Sequence, residues 1–172
     1  MKTGPVIDAL ERAPAIVVPL IREMPPQLMK LRLREGRWSV HEHACHLAVV
    51  HALFFERLDL MLASPAPVIA LYDPADEPDD ALMRRDLDES LRAYVRDRKR
   101  LVARLRKLSP RDWRRTADHE EYGHYSVFIM FRHLALHDFL HAYRIEAQVL
   151  SRELLMRREP DPPPARKRAR TP

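Results

Sequence analysis

The chain has 172 residues, 46% of them hydrophobic and only 3 of them glycine, which suits one mostly helical domain and argues against a strand-and-hairpin fold. Its net charge of +5 is concentrated in residues 157–172, where six Arg or Lys face two acids, so the body is nearly neutral and nucleic acid is not an expected partner. A single cysteine excludes an internal disulfide, no apolar run reaches the roughly 18–20 residues of a bilayer span, and no secretory signal can be read past Asp8 and Glu11, so a cytoplasmic protein is expected.

The first of four helical stretches runs from about Val6 to Leu33, with Ile7, Leu10, Ile16, Val17, Leu20, Ile21, Leu28 and Leu31 as apolar positions. Pro14, Pro19 and the Pro25-Pro26 pair should start, kink or divide it. The second opens on a capping box, Ser39 with Glu42, in which each side chain accepts from the other's backbone N–H. Trp38, just before the cap, is expected to pack back as a staple. Val40, Leu47, Val50, Phe54, Leu58 and Met61 carry the apolar pattern to Ser64-Pro65, and residues 65–82 make a long connection rich in Pro and Asp.

The third helix is expected from about Met83 to Leu108, with Leu87, Leu91, Tyr94, Leu101 and Leu105 on one stripe and an Arg-rich outer face. Ser109-Pro110 starts a short turn through Trp113, and residues 116–125 read as a polar loop. The fourth helix is expected over about Ser126 to Met156, with Val127, Met130, Leu134, His137, His141, Ile145 and Val149 facing inward. These elements give an all-α four-helix bundle over residues 1–156, with a long connection between helices two and three. Residues 157–172 form a basic, Pro-rich tail expected to be disordered.

Nine histidines are a heavy load for this length. His137 and His141 stand four apart, so both rings share one face of the helix, one turn apart. That spacing also arises by chance, as His133 four residues before His137 illustrates. Buried imidazoles facing one another are costly without a partner, however, and neutral imidazole is the commonest metal ligand. A third ligand must come from elsewhere. His46 is the leading candidate, and His43 one turn earlier competes with it. His41 and His51 read as surface or packing residues. Cys45, beside His46, should point to another face. Asp138 could tune a ligand from behind, although as a helix neighbour it points partly away, and Glu42 is committed to the cap.

The run Trp38-Ser39-Val40-x-Glu42-x-x-x-His46-Leu47-Ala48 resembles the W-S-[VI]-x-E-x-x-x-H-[LI]-x signature of the DinB/YfiT-like superfamily of metalloenzymes. Leu108-Ser109-x-x-Asp112-Trp113, then His119 and Gly123, then His137-Asp138-x-x-His141 follow in the family's order, over about residues 6–150. The resemblance implies a DinB-like four-helix bundle in which His46, His137 and His141 hold a divalent metal. One departure is Arg144-Ile145, where many members carry Gln-Ile, which bears on a substrate contact and not on the metal.

Three neutral imidazoles leave the ion's full charge and open positions, which suits Lewis-acid work or lowering the pKa of a bound nucleophile. Characterised relatives in the family include bacillithiol S-transferases and a mycothiol-dependent maleylpyruvate isomerase. The resemblance therefore implies, first, a thiol S-transferase using a low-molecular-weight thiol such as bacillithiol or mycothiol on a small-molecule substrate. A metal-dependent hydrolase and a non-catalytic metal-binding bundle are the alternatives. Zinc is the first expectation for the ion, with nickel, iron or manganese next, and a homodimer is expected. His119, Glu120, Glu121 and His124 lie where they could reach the mouth of the site.

Overall fold

The computed structural model describes residues 2–72 and 80–151, and among these the dominant elements are four helices. Helix α1 (Gly4–Arg22) buries Val6, Leu10, Ala13, Val17 and Ile21, a 3–4 spacing that draws one stripe along the helix. It accommodates Pro14 and Pro19 in its interior and ends before Pro25-Pro26. The stretch expected to reach Leu33 is therefore shorter. After a 3₁₀ turn at Pro26–Leu28, the connection sends Met24 and Met29 into the core.

Helix α2 (Val40–Ala63) begins at the expected capping box: Ser39 accepts from the Glu42 N–H, and Glu42 accepts from the Ser39 N–H at 2.8 Å. Helix α3 (Leu87–Leu105) starts later than its apolar pattern, because Asp86 caps it by accepting from the Glu89 N–H at 2.7 Å. Helix α4 (Val127–Val149) is capped by Ser126, which accepts from the Ile129 N–H. The end expected at Met156 and the basic tail lie outside the described residues.

Residues expected to be loop form a small sheet. Strand β1 (Val68–Ile69) pairs in parallel with β2 (Thr116–His119), which pairs antiparallel with β3 (Tyr125–Ser126). The strands are too short for a two-residue alternation to show in the sequence. Arg115 ties this sheet to α2 by donating to the carbonyls of Met61 (2.6 Å) and Ser64 (3.1 Å), the helix's last acceptors.

Helix α1 packs mainly on α3 and α4, and α2 packs on the same pair. Consecutive helices α1 and α2 therefore sit across the bundle's diagonal, and α2 is placed beside α4. The apolar core falls into two clusters, one around Phe54, Leu101 and Phe131 and the other around Leu47, Tyr94 and Ile145. Between their levels lies a buried polar layer of His51, Arg98 and Asp138. The histidines of interest occupy this level. No helix among the described residues is long and apolar enough to cross a membrane.

Candidate metal centre

His46 comes from the second turn of α2, and His137 and His141 from the middle of α4. The side-by-side packing of those helices brings the three rings together. His46 Nε2 lies 3.0 Å from His137 Nε2, which lies 3.1 Å from His141 Nε2, and one ligand atom from each ring falls within 4.8 Å of the others. Two bonds of about 2.0–2.1 Å to one ion, set at 90–110°, separate their nitrogens by about 2.9–3.4 Å. The spacing fits a shared cation.

The charge state fits as well. Burial holds His46 down to about 4 and His137 down to about 3, and it lowers His141 further still, so all three rings are neutral near pH 7. His137 Nε2 faces two neighbouring nitrogens with a single proton or a single lone pair, so the three neutral rings cannot make two full hydrogen bonds there. His137 Nδ1 is also buried with no partner among the described residues. A cluster that is unsatisfied by protein alone is the donor set a divalent ion completes.

His43 does not join the converging nitrogens; its Nδ1 instead faces His141 Nδ1 at 2.8 Å. Trp38, expected as a staple, lays its ring against three imidazoles: 5.5 Å from His43, 4.8 Å from His46 and 5.9 Å from His141, the last stacked. Cys45 is buried on another face beside His41 (3.6 Å), and burial pushes its thiol up, away from thiolate. His41 and His51 are both buried packing residues.

Asp138 does not reach the ligands. It turns toward α3, where both its oxygens accept from Arg98 and one accepts from Tyr94 Oη. Arg98 falls on the same stripe of α3 as Leu91, Tyr94, Leu101 and Leu105 and is 1% exposed. It also donates to His51 Nε2 and to the Leu10 carbonyl. His51 in turn donates from Nδ1 to the Leu47 carbonyl at 3.0 Å, which fixes its tautomer.

Beside the triad opens a cleft of about 190 Å³, with His46 and His137 in its wall. Arg57 of α2, His133 of α4, and His119, Glu121 and Tyr125 from the sheet and the turn after it complete the wall. Two of the four loop residues expected at the mouth are there. Glu120 is occupied with the Leu71 N–H, and His124 is exposed and does not line the cleft. His133 was passed over in the sequence as a chance spacing. It lies one turn from His137, with ring centroids 6.4 Å apart, and burial together with Arg57 keeps it neutral.

The sequence profile of the DinB superfamily matches residues 9–145. A protein of Oceanobacillus iheyensis named as a proposed metal-dependent hydrolase is 29% identical over 121 residues, 70% of either chain. Among solved structures, YfiT from Bacillus subtilis superposes with a TM-score of 0.70 at 25% identity, covering 91% of this chain and 87% of that one. It is described as a probable metal-dependent hydrolase with an unusual four-helix bundle topology.

Proposed function

The chain belongs to the DinB superfamily, and from that premise we propose that His46, His137 and His141 hold a divalent ion and that the protein hydrolyses a small molecule bound in the adjoining cleft. The observation that carries this reading is that His46 and His137 both meet the third imidazole and line an open cleft. The hydrolase descriptions of both relatives support it. Zinc is the first choice for three imidazoles, with nickel, iron and manganese next.

A divalent ion bound there supplies Lewis acidity and makes a nucleophile available at neutral pH. The chain supplies the rest. His133, neutral in the cleft wall, is placed to take the proton as a water oxygen bonds to the substrate's electrophilic carbon. It returns that proton to the departing group, so the ring ends as it began. Arg57, also in the wall, offers positive charge to the oxygen on which negative charge develops.

Transfer to a low-molecular-weight thiol is the second reading, and a different observation favours it. The carboxylates nearest the ligands in sequence are engaged elsewhere, Glu42 with Ser39 and Arg32 and Asp138 with Arg98. A thiol, more acidic than water, needs less help from a protein base.

The test is to load the protein with zinc, nickel or manganese and measure ester and amide hydrolysis. Consumption of monochlorobimane with bacillithiol or mycothiol is measured alongside. Metal-dependent hydrolysis that falls about 10²-fold or more in His133→Ala supports the first reading. Metal-dependent thiol consumption without hydrolysis replaces it with the second. A protein that takes up none of the three ions sinks both.

A further inference from the structure

His43 is the fourth histidine of the cluster, and its position sets it apart from the other three. It lies one turn before His46 on α2, and it is 4% exposed. Its Nδ1 stands 2.8 Å from His141 Nδ1, behind the His141 ring as seen from the converging Nε2 atoms. Trp38 packs on both rings, and its own carbonyl is held by the Gln148 side-chain amide at 3.0 Å.

Two neutral imidazoles sharing one Nδ1···Nδ1 contact hold a single proton between them. If His43 carries it, His141 has its proton on Nε2, aimed at His137, and Nε2 cannot donate a lone pair. If His141 carries it, His141 Nε2 is free to ligate and His43 Nδ1 is the acceptor. His43 then has its own proton on Nε2. That atom is not among the buried atoms lacking a partner, and His43 lines a second cleft, of about 710 Å³, beside Arg37 and Gln148. Water there can accept from it, so the second arrangement leaves neither ring unsatisfied.

We propose that His43 is a positioning residue for the metal site: by accepting the Nδ1–H of His141 it fixes the tautomer and ring orientation that make His141 Nε2 a ligand. The proposal rests on the three-histidine metal site proposed above and adds to it the residue that prepares one ligand. A ligand histidine gains basicity and a fixed orientation from such a partner, and losing the partner typically costs 10–100-fold in affinity, an order-of-magnitude figure.

The experiment measures zinc affinity by competition with a chromophoric chelator at pH 7.5 for the full chain and for H43L, H43N and H43D. Metal-free thermal unfolding serves as the folding control. His43→Leu keeps the shape but removes the acceptor, and its affinity should fall about 10–100-fold. His43→Asn places an amide oxygen near the lost Nδ1 and should recover most of that loss. His43→Asp should bind at least as tightly as the native chain. Nitrogen-detected histidine spectra of the metal-free protein give an independent readout, in which His141 should be the Nδ1–H tautomer.

Equal affinity in native and H43L protein, an H43N variant as weak as H43L, or a metal-free His141 in the Nε2–H form would each overturn the proposal. A native chain that binds no zinc, yet shows His141 as Nδ1–H, removes the metal site itself. The two failures are therefore distinguishable.

Discussion

Arg98 and Asp138 form a two-pronged ion pair between α3 and α4 at 1% and 0% side-chain exposure, one residue along the chain from His137. Burial pushes the Asp138 carboxyl up and the guanidinium opposes it. With Tyr94 and His51 supplying further hydrogen bonds, the layer has few unmet polar atoms. It links α3 to α4 across the bundle, next in sequence to His137.

Removing one partner strands the other charge in the core. Asp138→Leu should cost about 3–5 kcal/mol of unfolding free energy in urea. The double variant Arg98→Met with Asp138→Leu should be less destabilised than the sum of the singles. Additive losses would show that the two side chains do not act as a pair.

Removal of a proposed ligand should separate metal binding from stability. His46→Ala and His137→Leu should each abolish stoichiometric metal uptake, since about three protein ligands are the usual minimum for such a site. Metal-free His137→Leu should nonetheless match or exceed the metal-free native protein by up to about 1 kcal/mol, because it deletes the buried, unpartnered His137 Nδ1. A metal-free variant clearly less stable than the native chain would mean that packing of His137 outweighs its unmet nitrogen.

Trp38 is placed to report on an ion held by the proposed triad. The chain has 2 tryptophans, and the other, Trp113, packs against Phe128 and Phe131. In a Trp113→Phe background, nickel should quench the emission of Trp38, whose ring is 4.8 Å from that of His46. The same titration in His46→Ala should leave emission unchanged, and quenching that survives there places nickel elsewhere.

Acid should destabilise the metal-free protein in a defined window. Native His51 stays neutral down to about 4 because it is buried beside Arg98, against an ordinary value of 6.5. Between those values the unfolded chain binds more protons, so stability falls as pH drops, by up to about 1.4 kcal/mol per pH unit for this one residue. Urea midpoints should be level above pH 7 and decline from about 6.5, with a shallower decline in His51→Gln. An unchanged slope in that variant would assign the effect to other groups.

Much of the bundle was legible because its signals are local. The Ser39–Glu42 box and the 3–4 apolar stripes arise from residues within one or two turns, so the start of α2 and the inward faces can be read from a few neighbours, whereas the Asp86 cap shortens α3 from the start its apolar pattern suggests. The motif order pointed to the family, and the i, i+4 spacing paired His137 with His141. The strands at 68–69, 116–119 and 125–126 were missed because two to four residues carry no readable period. The buried role of Arg98 carries no local signal, because an arginine is buried where a distant carboxylate arrives to meet it, and Asp138 is 40 positions away.

The sequence by itself determined that there are four main helices, the capping box of α2 and the pairing of His137 with His141, since each depends on interactions within a few residues. Tertiary structure alone decided which histidines meet. The diagonal placement of α1 and α2 sets α2 against α4, which joins His46 to the pair and puts His43 behind His141 rather than among the converging nitrogens. The sheet then walls the cleft with residues read as a polar loop. The physical reason is that a buried polar side chain takes its role from the partner across the helix interface, and that partner is chosen by packing geometry rather than by its neighbours in sequence.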